Sequence, residues 1–352
     1  MKLSIVTISQ NSGMGLRETA NSVLSQSRLP DEYIVQDGDS SDGSVGTLIN
    51  WLGERRWLGN AEKLKAEMLK WEREDGGEQE DRRRKTEDSG ENAENLPPSR
   101  FAAKGGQGNA EMLKGEREPQ TTQKNAEGER ETEVGGRRAE VGGRVALWGQ
   151  ACEVKIQSEV DAGIYDGLNR AIARASGDVM GLLHADDTYA QPGVLELVMQ
   201  AFENGAEAVY GDLQYVRHVA DSIRVARHWR SGSYAKGKLR WGWMPPHPTL
   251  FLRREVYESV ALADGMYFDP RFRCAGDYDF ILRALPRLRV PPVYIPYVFV
   301  KMKVGGISNR NLSNIMKKSR EDWVAIRRNR VGAFHTLIAK NLRKVGQLRV
   351  SL

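Results

Sequence analysis

Apolar positions in this chain fall into short, unbroken runs separated by polar clusters and by amphipathic stretches. Leu3–Ser9 (LSIVTIS) is a run suited to a strand buried on both faces, and Leu16–Ser27 follows with helical spacing. Tyr33–Gln36 is a second short strand run, ending in the polar cluster DGDSSDGS, and a helix is predicted from there through Trp51. The pattern resumes at Val154–Ser158 (strand) and at Ile164 to about Ala175 (helix), which Gly177 stops. Val179–Leu183 is again a strand, the next helix has Pro192 in its first turn, and Ala208–Tyr210 opens a further strand. Alternating strands and helices predict an α/β domain: a mostly parallel central sheet flanked by helices, Rossmann-like. Ligands in such sheets bind beyond the carboxyl ends of the strands. The polar clusters at 37–44 and 184–187 both fall at such ends.

Between about Gly53 and Trp148 this pattern disappears. From Gly59 to Arg144 there is no isoleucine, one phenylalanine, two valines and four leucines, 7 of 86 residues. That is well below the ~20% at which a stable core becomes doubtful. GNAEKLKAEMLK (59–70) returns as GNAEMLKGERE (108–118), and EVGGRRAEVGGR (133–144) is a local duplication. Neither unit has an apolar face with which to stack on a neighbour, as a solenoid repeat must. The segment 59–148 therefore reads as a low-complexity, disordered insertion, with helical tendency around 60–74. It separates a first part (1–58) from the remainder of the same domain (149–307). From Ser308 to the last residue, 352, the pattern is helical and basic. Nine Lys or Arg lie between Lys317 and Lys344, against Glu321 and Asp322. Such a segment suits either a solvated helix face or an anionic membrane surface.

The formal net charge of +5 admits an anionic partner without choosing one. Cys152 and Cys274 lie far apart with no CxxC spacing, which argues against a zinc site or disulfide framework and for a reducing compartment. No stretch reaches the ~18 apolar residues of a membrane span. MKLSIVTIS has no cleavage site behind it, so a signal peptide is not expected. The expectation is a cytoplasmic protein, peripheral on the inner face of the membrane if the basic end binds lipid. No recognised base-reading motif is present and the insertion mixes both charge signs, so nucleic acid is not an expected partner.

Candidate chemistry centres on LLHADD (182–187). Adjacent carboxylates at a strand end repel unless a cation or hydrogen-bond donors relieve them. Hard cations such as Mg²⁺ and Mn²⁺ take one or two carboxylates completed by water and phosphate, whereas Asp187 on its own also suits a turn. QDGDSSDGS (36–44) places small polar residues at the neighbouring strand end. EVDAGIYDGLNRAIARASGD (159–178) sets Asp161 and Gly163 before a helix, with Asn169 further along it. AGDYDF (275–280) carries Asp277 at the start of an amphipathic helix, a position that suits an N-cap or a base. Trp241, Trp243 and His247 lie in a Trp-, Arg- and Gly-rich loop.

In order, SIVTISQN, YIVQDGDSSDGS, SEVDAGIYDGLNRAIARASGD, LLHADD, WMPPHPTLFLRREVYE and FDPRFRCAGDYDFILR resemble the family-2 glycosyltransferases, inverting, nucleotide-sugar-dependent enzymes of the GT-A fold. The resemblance covers nearly everything outside the insertion. It implies a nucleoside-diphosphate sugar donor, a glycan or lipid-linked acceptor and a role in cell-surface polysaccharide synthesis. By position it assigns Thr7, Ser9, Asp37, Gly38, Asp161, Gly163, Asn169 and Asp186 to the nucleotide sugar. Asp186 and Asp187 are assigned to a divalent cation (Mg²⁺ or Mn²⁺) and Asp277 to the catalytic base. In the Trp-rich loop, indoles Trp241 and Trp243 suit an acceptor sugar if exposed and the core if buried, and His247 suits the acceptor side, the diphosphate or the metal. The chain departs from the family at Ile8, where proline is common, and at His184, where an acidic or amide residue usually precedes the metal-binding pair. Two other readings stand beside this one. They are a catalytically inactive nucleotide-sugar-binding protein of the same fold, and a basic protein acting at membrane surfaces or on nucleic acid.

Overall fold

The structure, a computed structural model, describes residues 1–54, 138–147, 149–219, 222–304 and 312–348. The helical tendency read at 60–74 lies outside them. The described residues form a ten-stranded mixed sheet in one compact unit. Strands β1 (Leu3–Ser9) and β2 (Glu32–Asp37) are followed by β3 (Arg138–Leu147), β4 (Gln150–Glu159), β5 (Val179–Leu182) and β6 (Asp187–Tyr189). Then come β7 (Ala208–Val219), β8 (Ser222–Trp229), β9 (Phe251–Arg253) and β10 (Val293–Lys303). Their spatial order is β3-β4-β2-β1-β5-β9-β7-β10-β6, with β8 paired to β7. The expected parallel set is the run β4-β2-β1-β5. Beyond β5 the sheet turns mixed: β9 is antiparallel to both β5 and β7, while β7 and β10 run parallel.

Local sequence explains the parallel run. Its strands are apolar on both faces, as a sheet covered on both sides requires. Side chains alternate, so Val6, Ile34, Met180 and Leu182 join a cluster with α3 (Ile164–Arg174). Helices α1 (Met14–Leu24) and α2 (Ser44–Glu54) pack against each other. A polar staple at the amino ends holds the register. The Ser4 hydroxyl donates to buried Glu32 at 2.6 Å, the Ser176 amide donates to the same carboxylate, and Lys155 pairs with it from β4.

The boundary expected at 148 lies too late. β3 begins at Arg138 and pairs with β4 along its whole length, so the ordered sheet starts inside the stretch read as insertion. An edge strand explains why composition concealed it. It has one neighbour to satisfy, it tolerates Gly142 and Gly143, and Val145 is buried opposite Cys152.

Helices α4 (Val194–Glu203), α5 (Arg254–Ser259) and α6 (Gly276–Ala284) complete the middle of the chain. The basic C-terminal segment is two helices, α7 (Leu312–Arg328) and α8 (Phe334–Leu348). They are not merely a solvated appendage. Ala325 and Ile326 are fully buried in the main cluster, and Glu321 accepts the backbone N–H groups of Arg273, Cys274 and Ala275 at 2.8–3.1 Å. A carboxylate from α7 thus caps the start of α6, where four N–H groups have no partner within their helix. Lys340 of α8 reaches inward to Asp322 at 2.6 Å and sits 3.2 Å from the centre of the Tyr278 ring. Removing one member of a buried pair leaves a charge without compensation, at a cost of about 3–5 kcal/mol. Lys340→Met should therefore lower the unfolding free energy obtained from urea titration by about that much, and adding Asp322→Leu should recover most of it. A single variant as stable as the parent would show that the pair does not hold α8 in place.

Candidate functional site

The carboxyl ends of the parallel strands form one rim, because Ser9, Asp37 and Ser158 stand side by side in the β1-β2-β4 register. The loops after β1 and β2 are stitched together. The Asn11 amide donates to the Ser40 hydroxyl at 2.7 Å, the Ser41 amide to Asn11 Oδ1 at 3.0 Å, and the Gly13 amide to Asp42 at 2.7 Å. Asn11, Asp39 and Asp186 all have positive φ (49°, 56° and 76°), and all three lie in loops following β1, β2 and β5. Left-handed backbone at non-glycine residues costs energy and tends to gather at functional sites.

Several residues expected to contact the nucleotide are already engaged. Asp37 is fully buried and accepts from the Ser40 amide, the Ser40 hydroxyl and the Ser158 hydroxyl at 2.6–2.8 Å. A carboxylate has about four acceptor positions, and three of them are filled here. Gly38 is needed for close approach, since a side chain there would meet the Asp161 carboxylate at 3.1 Å. Half-buried Asp161 accepts the Gly163 amide at 3.0 Å, and burial followed by nearby Asp166 raises its pKa against that bond. Gly163 has a φ of 118° and starts α3. The Ser9 hydroxyl bonds that of Ser12 at 2.7 Å.

Three expectations need correction. Thr7 is fully buried and donates to the Leu183 carbonyl at 2.6 Å, so its hydroxyl ties β1 to the end of β5 and does not line a pocket. Asn169 spends its amide on the backbone of Tyr267 and Phe268 at 2.7–3.0 Å, fastening α3 to that turn. Trp243 is 4% exposed, donates to the Ser231 carbonyl at 2.7 Å and meets the Tyr210 ring edge-on, so it is core and offers no face to a sugar. Trp241, by contrast, is 61% exposed.

The paired aspartates divide sharply. The Asp186 side chain is 49% exposed and faces the Lys303 ammonium at 3.3 Å, which also reaches Glu18 at 2.7 Å. Gly15 makes room for it, since any Cβ there would collide with the Asp186 carboxylate. Asp187 is buried in β6, and burial, then the Asp186 charge, hold its pKa well above the usual carboxylate range. Among the described residues no group of three or more His, Cys, Asp and Glu forms a cage for a metal ion. What the residues present do fit is a hard cation that arrives with phosphate oxygens and water, because one accessible carboxylate is offered where an ammonium now supplies the positive charge.

The C-terminal part of the site is a chain of hydrogen bonds. His247 Nδ1 lies 3.2 Å from Asp277 Oδ2, and its Nε2 lies 3.0 Å from His184 Nε2. The Tyr165 hydroxyl, just inside α3, donates weakly to Asp277 Oδ1 at 3.4 Å. Burial pushes the Asp277 pKa up, but the His247 bond and charge, with Lys318 and Lys340, more than offset it and hold the carboxyl below the usual range. Burial, then neighbouring His247, pushes His184 down to about 3. His247 thus bridges Asp277 and a neutral His184, and the buried His184 Nδ1 has no partner among the described residues. The bonds Tyr165–Asp277, Asp277–His247 and His247–His184 therefore connect the start of α3 to the strand end that carries Asp186. Tyr165, Lys303 and Glu321 were not singled out in the sequence, where only their eventual neighbours in space would have marked them.

Residues 148–261, from the start of β4 to the end of α5, match the model of "Glycosyl transferase family 2". The mixed sheet flanked by helices agrees with the GT-A arrangement the motifs implied. An uncharacterized glycosyltransferase of Mycobacterium tuberculosis is 31% identical over 155 residues, covering 44% of this chain and 55% of the relative. A PGL/p-HBAD biosynthesis glycosyltransferase of Mycobacterium bovis is 26% identical over 157 residues, covering 44% and 56%. The chain thus spans about half the length of the curated relatives it matches. Among solved structures, S. aureus TarS 1-349 in complex with UDP-GlcNAc is similar with a TM-score of 0.49 and 13% identity, covering 93% of this chain and 66% of that one. A mannosyltransferase from Pyrobaculum calidifontis in complex with GDP-Man and Mn²⁺ gives 0.48 and 11%, covering 99% and 73%. Among the described residues no helix is long and apolar enough to cross a membrane.

The His184 environment sets a pH dependence. Its folded pKa of about 3 lies below the unfolded value near 6.5, so between those values the unfolded chain takes a proton that the folded chain refuses. Stability should therefore fall as the pH drops from about 6.5 toward 3. In urea titrations His184→Gln should flatten that slope by about one proton. An unchanged slope would mean that the imidazole is not held neutral.

Proposed function

We propose that the protein is an inverting glycosyltransferase that moves a sugar from a nucleoside-diphosphate donor to a hydroxyl of a glycan or lipid-linked acceptor, in the building of surface polysaccharide. The single observation that carries this reading is Asp277, held ionised and oriented by His247 at the same rim as Asp186. Asp37, Gly38, Asp161 and Gly163 hold the nucleoside side, where small residues let a ribose approach the backbone. Asp186 would hold a divalent cation, with Asp187 buried behind it. That cation, Mg²⁺ or Mn²⁺, would stabilise the negative charge on the departing diphosphate. Lys303 adds a second positive charge at the same place.

Asp277 takes the proton from the acceptor hydroxyl as its oxygen attacks the anomeric carbon. The bond from that carbon to the diphosphate breaks, and the nucleoside diphosphate leaves with the electron pair. Attack from the face opposite the leaving group inverts the anomeric centre. His247 does not touch the reacting atoms in this scheme. It positions Asp277 and keeps it charged, while exposed Trp241 offers an indole face on the acceptor side. Peripheral contact of a cytoplasmic enzyme with an anionic membrane, through the basic C-terminal helices, belongs to the same reading. A positioned base contributes typically 10²–10⁴-fold. Asp277→Asn should therefore lose about that factor in sugar transfer while still binding a nucleoside diphosphate. Parental transfer rates in the variant would remove Asp277 from the reaction.

A further inference from the structure

Helix α8 has two unlike faces. Thr336 and Lys340 point inward, the first donating to the Arg240 carbonyl at 2.7 Å and the second to buried Asp322. On the other side Phe334, Ile338 and Leu342 follow one another at four-residue spacing and are 62%, 46% and 64% exposed. That is an apolar stripe turned to solvent, the reverse of what a helix packed on a core presents. Trp241 extends it, with its ring 5.4 Å from that of His335 and its carbonyl accepting from Arg343 Nε at 3.0 Å.

The charge around this stripe is of one sign. Arg240, Arg327, Arg330 and Arg343 are exposed. Both acidic residues of the segment between Lys317 and Lys344 are spent inside the molecule, Glu321 on the start of α6 and Asp322 on Lys340. A helix with an apolar face, basic flanks and a neighbouring indole suits the boundary of an anionic bilayer. There the rings and aliphatic chains enter the headgroup region and the guanidinium groups meet lipid phosphates.

We infer that the Phe334–Ile338–Leu342 face of α8, with Trp241, is a docking surface for an anionic lipid bilayer. The consequence for the site is geometric. α8 grips the turn that carries Trp241, and a side chain at Gly242 would collide with the Lys340 backbone, so helix and loop move as one piece. The same loop continues to His247, the partner of Asp277. Docking α8 on a bilayer would hold the acceptor side beside the membrane, which selects a lipid-linked acceptor. The docking deepens the membrane contact proposed above, and the choice of acceptor rests on the sugar transfer proposed there.

The test is co-sedimentation of the full chain with vesicles of phosphatidylcholine alone and of phosphatidylcholine mixed with phosphatidylglycerol, without donor or acceptor. The expected result is binding to the mixed vesicles alone, weakened at least about tenfold by high salt and by Ile338→Ser/Leu342→Ser. Both substituted residues are exposed, so the variant should melt like the parent and keep its nucleoside-diphosphate affinity. Absence of binding to mixed vesicles, or equal binding by the variant, would overturn the inference. So would a dimer in solution that the double variant abolishes while neither protein binds vesicles. A chain that binds vesicles through this face but transfers no sugar would refute the proposed activity and support the docking surface.

Discussion

The hydrogen-bond chain from Asp277 through His247 to His184 is the constraint on which the site depends. It crosses from the start of α6 to the end of β5, two elements with no other reason to meet there. Ionising a carboxyl at this partly buried position is opposed by desolvation, and only a partner held at bonding distance reverses the balance. His247 in turn is held by His184, whose burial keeps it neutral and therefore able to take part in hydrogen bonding without adding a second positive charge. The arrangement has the logic of a base oriented by a second group and that group by a third.

Everything around this chain serves its placement. The β4-β2-β1-β5 run brings the polar loops to one edge, and the staple at Glu32 fixes the strands at the other. α7 caps α6 through Glu321 and thereby steadies the turn that carries Asp277. α8 closes over the Trp241 turn through Lys340 and Thr336. The C-terminal helices are thus part of the site's scaffold, while one of their faces is left to solvent. Stability and function meet at Lys340: it neutralises Asp322, covers Tyr278 and contributes to holding Asp277 ionised.

Much of the parallel half was legible in the sequence, because strands covered on both faces must be nearly continuous apolar runs, as LSIVTIS and VMGL are. The motifs likewise single out Asp37, Asp161, Asp186 and Asp277, which the fold sets at the ends of β2, β4 and β5 and at the start of α6. What could not be read are features set by contact between distant segments. β3 is glycine-rich and sits at an edge, so composition alone resembled the insertion. Trp243 and Trp241, two residues apart, differ only in which way the loop turns, and that is decided by Ser231 and by α8. Thr7 and Asn169 have the right residue types for ligand contact, yet the backbone claims both. His184 stood out as a departure from the family, and its meaning became visible only when His247 was found against it.

The central claim is that the strand-end rim binds a diphosphate with a divalent cation at Asp186. Titration calorimetry with a panel of nucleoside diphosphates, with and without Mn²⁺, on the parent and on Asp186→Ala tests it most directly. The account predicts that one diphosphate binds the parent in a Mn²⁺-dependent manner and that the variant loses this binding. A folded parent that binds none of them under either condition, or a variant that binds as the parent does, would contradict it.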